Sequence, residues 1–124
     1  MDFPTVTQES EYFTESTFSD NRFSVIFNLK QTTAANFYPC IDDSHKDNFK
    51  RGVFCGLRRI YELFEDSGHR DDKEVISVCE LELILNTQHW NECGDPEEKV
   101  FFDGLRTGNA KGNLIVKEVF GEVF

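Results

Sequence analysis

Several features that would identify a chemistry are missing from this sequence. No two cysteines form a Cys-x-x-Cys pair: Cys40, Cys55, Cys79 and Cys93 are widely scattered, so free thiols in a reducing compartment are the expectation. No apolar run approaches the ~20 residues needed to span a bilayer. The opening Met-Asp-Phe-Pro-Thr-Val has neither the basic nor the apolar region of a signal peptide. There is no Asn-x-Ser/Thr sequon, no glycine-rich phosphate loop and no nucleophile elbow. The expected location is the cytoplasm, with no membrane contact and no cofactor.

Basic residues are the other shortage. Lys and Arg number 13 against 23 Asp and Glu, for a formal net charge of −10 and a pI near 4.6. Affinity for nucleic acid comes from Lys and Arg displacing counterions from phosphates, so direct nucleic-acid binding is disfavoured. The same field speeds encounter with a basic protein. Tryptophan and methionine occur once each, whereas phenylalanine occurs 13 times, so phenyl rings must fill much of any core. At 124 residues the chain fits one domain.

The most organised stretch is 41–68. Phe49, Val53, Leu57, Ile60 and Phe64 recur three or four residues apart, which predicts a long helix over about 45–66 with one core-facing stripe. Ser44 is placed to cap it, with Asp47 three residues on, and Gly68 suits a left-handed stop. Gly52 and Gly56, four apart, leave a smooth patch that another backbone or an aromatic ring could approach closely. Lys46, Lys50, Arg51, Arg58 and Arg59 put five bases on this element. A solvated face paired with nearby acids is the plainer account of them, and an anion site the sharper one.

Before this helix, residues 1–20 carry five acids and no base and read as an acidic N-terminal arm, with 21–124 forming one domain. Phe23, Val25, Phe27 and Leu29 alternate, which predicts a strand over 22–30. The β-branched start of 75–85 predicts a second strand, with Glu80 and Glu82 side by side on one face; helical spacing of Val75, Val78, Glu82 and Leu85 is the competing pattern. Asp95, Pro96 and Glu98 signal a short helix over about 96–107, weakened by Gly104 and with Gly108 as its terminator. Residues 108–113 then read as a turn and 114–120 as a last strand. The expected fold is α+β: a single two-layer domain in which the long helix crosses a three- to four-stranded sheet.

Chemical candidates are weak. Cys40, His45, His89 and Cys93 could supply zinc with two thiolates and two imidazoles, but the spacing matches no common finger. His69-Arg70-Asp71 matches three letters of a kinase catalytic loop in a chain too short for a kinase. Asp71, Asp72, Glu80 and Glu82 could gather Mg²⁺, although an acidic surface suits a polyanionic substrate poorly. Cys55 reads as a buried helix residue, and Cys93 precedes a helix start that could lower a thiol pKa.

The distributed signal is acids interleaved with aromatics, which is what binding a basic protein surface requires. The expected function is therefore that of a small acidic protein that neutralises a basic partner by occlusion, without turnover. An immunity protein or antitoxin facing a nuclease toxin would do this. So would a phage or viral inhibitor that mimics nucleic acid. Asp71, Asp72, Glu80, Glu82, Trp90 and Glu92 are the expected contact residues. A structural subunit and a small carboxylate/Mg²⁺ enzyme are the alternatives.

Overall fold

The computed structural model describes residues 20–38 and 47–121, which form four helices: α1 (Asp20–Ala35), α2 (Asn48–Glu65), α3 (Asp72–Glu92) and α4 (Pro96–Phe120). Among the described residues there is no strand, so the expected α+β sheet is wrong and the fold is all-helical. The four helices share one core, in which Val25 and Leu29 of α1 meet Ile60 and Phe64 of α2, Val75, Ile76 and Cys79 of α3, and Val116 and Phe120 of α4. The expected N-terminal arm lies outside the described residues, apart from Asp20, which begins α1.

The long helix is present where its stripe predicts it. Its cap is Asp47, whose side chain accepts from the Lys50 N–H at 2.9 Å; Ser44 lies outside the described residues. Gly68 has the positive φ of 62°, in the loop just beyond the helix end. Asp95 caps α4 with Pro96 at its start, accepting from the Glu97 N–H at 3.0 Å.

The three expected strands are helical for three different reasons. In α1 the buried residues are Arg22, Val25, Leu29 and Thr33, a helical stripe, while Phe23 and Phe27, the rings that made the alternation, are 60% and 58% exposed. In α3 the competing helical spacing prevails, and burial of Val75, Ile76 and Cys79 near its start anchors it to the core. Residues 108–120 continue α4 without a break, because its glycines are contact points and not stops.

Those glycines set the architecture. Gly104, Gly108 and Gly112 recur every four residues on one side of α4 and are buried, as are Gly52 and Gly56 of α2. Gly52 lies against Gly104, Gly56 against Gly108, and Ile60 against Gly112, so α2 and α4 run parallel with their backbones in contact. A side chain at Gly56 would run into the Leu105 carbonyl, and one at Gly108 into that of Val53. In an up-down-up-down chain of four helices, this closes the diagonal pair. α1 and α3 then flank it, each antiparallel to the helix that follows in sequence: Phe37, just past α1, meets Phe54 early in α2, and Asn86 of α3 meets Asn109 of α4.

Asparagines stitch α3 to this pair. Asn109, fully buried, donates to the Gly56 carbonyl at 2.9 Å and accepts from the Asn86 amide at 2.6 Å. Asn113 donates to the Cys79 and Asn109 carbonyls at 3.1 and 2.9 Å. Asn109→Leu puts a larger apolar side chain at a fully buried position and removes the bonds to the Gly56 carbonyl and from the Asn86 amide, which keeps only its longer contact to Glu82, at a cost of about 2 kcal/mol. In urea unfolding, the Asn86→Leu/Asn109→Leu pair should lose less than the sum of the two singles, because the double change removes both ends of one bond.

Candidate functional site

The six residues expected to make a partner surface are spread along α3. Asp71 caps its N-terminus, accepting from the Glu74 N–H at 2.8 Å. Asp72 is taken up internally by Arg22, whose Nε and Nη2 reach its Oδ1 at 2.7 and 2.6 Å. Trp90 and Glu92 lie at the other end, about 27–30 Å away at 1.5 Å per helical residue. Glu80 and Glu82 do not sit side by side: two residues apart on a helix, they point in different directions. Glu80 is exposed, whereas Glu82 turns toward α2, pairing with Arg59 at 3.5 Å and accepting from Asn86 at 3.4 Å.

Trp90 is not a bare anchor. Arg106 of α4 lies over its ring at 3.9 Å, held by Asp103 at 2.9 Å, and Lys99 approaches the ring at 5.0 Å. Beside it His89 meets Phe102 edge-on at 5.4 Å, Phe102 meets Phe101 at 5.7 Å, and Arg51 of α2 covers Phe101 at 4.3 Å. Each cation over a ring contributes about 0.5–1 kcal/mol at such partly wet sites. This end of the bundle is therefore a set of aromatic and basic groups that fastens α2, α3 and α4 together.

The zinc candidates divide between regions. Cys40 and His45 lie outside the described residues, His89 stacks on Phe102, and the Cys93 thiol points to Glu98 at 3.8 Å. Among the described residues, no three His, Cys, Asp or Glu side chains converge to hold a metal, the Mg²⁺ set of Asp71, Asp72, Glu80 and Glu82 included. Nor is any described helix long and apolar enough to cross a membrane.

Burial in the core pushes the Cys79 thiol up to about 12, aided by the charges of Glu82 and Glu80 and opposed by Arg59. The Tyr61 hydroxyl is also raised, chiefly by its hydrogen bond to Glu65. The folded chain thus keeps the Cys79 proton where the unfolded chain, titrating near 9, has lost it. The stability tied to that thiol is fully present below pH about 9 and declines toward pH about 12. The stability gap between wild type and Cys79→Ala should narrow across that window in urea unfolding. At pH about 8, thiol-reagent mapping by mass spectrometry should label half-exposed Cys93 and spare Cys79.

The outer face of α3 is apolar yet lies outside the core. Leu81, Ile84 and Leu85 are 51%, 54% and 44% exposed. The spacing of Leu81, Ile84, Leu85 and Gln88 on a helix was the signal available for it; the strand reading placed Leu81 and Leu85 inside instead. Compared with protein-family models, with curated proteins and with solved structures, the chain matches none of them.

Proposed function

We propose that this chain is a small acidic cytoplasmic protein that binds a basic partner protein and neutralises it by covering its surface, without turnover. The supporting observation is the disposition of charge. Arg22 is buried against Asp72, Arg51 lies on Phe101, Lys99 and Arg106 lie on Trp90, and Arg58 and Arg59 pair with Glu62 and Glu82. Much of the basic complement is therefore engaged within the fold. Asp71, Glu74, Glu80, Glu92, Glu97 and Glu98 stay exposed in a chain of net charge −10.

A field of that sign attracts basic surfaces and repels phosphate backbones, and it does so more strongly at low ionic strength. The partner class that fits is a nuclease toxin or other nucleic-acid-binding enzyme, whose phosphate-binding groove supplies the basic surface. Asp72 and Glu82 are engaged by Arg22 and Arg59, and Trp90 by Arg106 and Lys99, so the exposed acids carry the steering.

The test is affinity purification of the tagged chain from its native cell at near-physiological salt, with a salt titration of whatever co-purifies. A stoichiometric basic protein released as salt rises is the expected result. Recovery of only neutral or acidic partners, held regardless of salt, would remove the electrostatic basis of the proposal.

A further inference from the structure

Resting on the reading of the chain as a binder of a basic protein, we infer that the outer face of α3 is the docking surface, and that it takes a helix of the partner bearing an apolar stripe edged with lysines or arginines. Residues 74, 78, 81, 85, 88 and 92 are spaced alternately four and three apart, the repeat that keeps one seam of a helix facing a second helix. Along that seam run Glu74, Val78, Leu81, Leu85, Gln88 and Glu92, with Ile84 beside Leu81. The middle is apolar and open, since Leu81, Ile84 and Leu85 are each about half exposed. The two ends carry Glu74 and Glu92, and Glu80 adds a third exposed carboxylate on the flank it shares with Lys73. The seam extends about 27 Å, the length of a five-turn helix.

Charge selects among the possible occupants. A second copy of this chain would set Glu74, Glu80 and Glu92 against their own kind and bring together two bodies of net charge −10 each. The chain's own residues 1–19 hold Asp2, Glu9, Glu11 and Glu15 and no base, so they face the same repulsion. A basic amphipathic helix fits both features at once: its apolar stripe covers Leu81, Ile84 and Leu85, and its cations meet the flanking carboxylates. Helix-on-helix docking of this kind reads anchors at i, i+3, i+4 and i+7, and Val78, Leu81 and Leu85 supply three of them on the receiving side. Because these side chains lie outside the core, they can be changed while the fold stays intact.

The experiment uses the full chain and a fluorescein-labelled designed helical peptide of about 21 residues, with leucine at seam positions and lysine beside them. Anisotropy should show binding about tenfold tighter than to a scrambled peptide of the same composition, and a further loss of about tenfold with Leu81→Ala/Ile84→Ala/Leu85→Ala. Glu74→Lys/Glu80→Lys/Glu92→Lys should weaken it as well, and circular dichroism of both variants should match wild type. If the alanine variant proves unfolded, the charge-reversed variant carries the test alone.

Equal binding of the scrambled peptide, or an alanine variant that binds like wild type, overturns the α3 surface and leaves the basic-partner reading standing. A peptide with glutamate in place of lysine that binds equally well, at any salt, overturns that reading too. Self-association in light scattering that the alanine variant abolishes would assign the face to a second copy and overturn the proposal.

Discussion

Gly104→Ala is expected to lower the unfolding free energy by about 3 kcal/mol, the upper range of overpacking costs, despite alanine's better helix propensity. A methyl group there would collide with the Phe49 carbonyl oxygen and come within 3.0 Å of the Gly52 Cα. Both obstacles are backbone, so no rotamer change relieves the clash. The two helices must separate, and separation also pulls apart the Asn109 bond to the Gly56 carbonyl. Gly108→Ala should behave alike, since it meets the Val53 carbonyl and the Leu57 nitrogen. Gly112→Ala should also destabilise, because the Ile60 Cβ it meets at 2.9 Å is fixed to the α2 backbone and no turn of that buried, branched side chain moves it. Gly94→Ala, with no atom within 4 Å, should change stability by less than about 0.5 kcal/mol. Urea unfolding followed by circular dichroism reads the series as midpoints at constant slope. Equal effects at all four positions would mean that the close approach of α2 and α4 is not what the glycines are for.

The same glycines explain what was and was not legible in the sequence. Gly52 and Gly56 read as a place for another backbone or an aromatic ring, because they interrupt a helix whose apolar stripe is otherwise strong, and a backbone is what they meet. Gly104, Gly108 and Gly112 read as weakness, terminator and turn, because glycine between helices is a common stop and no apolar stripe spans 104–112 to overrule it. The four-residue spacing shared by the two segments was the available clue: a close-packed helix pair needs small residues on both sides. α1 misled in another way. Its stripe is narrow and includes a buried arginine and a buried threonine, while its largest rings point outward, so alternation of Phe and aliphatic residues imitated a strand. Local patterns of residue type report burial only when apolar residues are the buried ones.

The candidate site followed the same logic. The acidic balance was visible in composition alone, but the partners of individual acids depend on which helix faces which. Asp72 and Glu82 could be recognised as internal only once Arg22 and Arg59 were placed beside them. The apolar face of α3 was hidden because leucines at 81 and 85 fit a buried strand as well as an exposed helix seam.

Arg22 carries the second large expected effect. From the first turn of α1 its guanidinium is fully buried, and it gathers the segment that joins α2 to α3: Asp72 Oδ1, the Ser67 hydroxyl at 3.0 Å, the Gly68 carbonyl at 3.3 Å and the Arg70 carbonyl at 2.6 Å. Ser67 completes the arrangement by donating to the Phe64 carbonyl at 2.6 Å. Removing one member of a buried pair costs about 3–5 kcal/mol when the survivor stays dry. The Asp72 side chain is 22% exposed and can partly rehydrate, so Arg22→Met should lose less, about 2–3 kcal/mol. Arg22→Lys keeps the charge but has a point ammonium where a planar fork now reaches both the carboxylate and two carbonyls, and it should recover no more than about half of that loss. Asp72→Asn leaves the Arg22 cation fully buried without that carboxylate, so by the same rule it should cost at least as much as Arg22→Met in the same urea assay. If Asp72→Asn were instead the milder change, the Ser67, Gly68 and Arg70 contacts would be what supports the buried cation, and the ion pair would be the lesser part of the clamp.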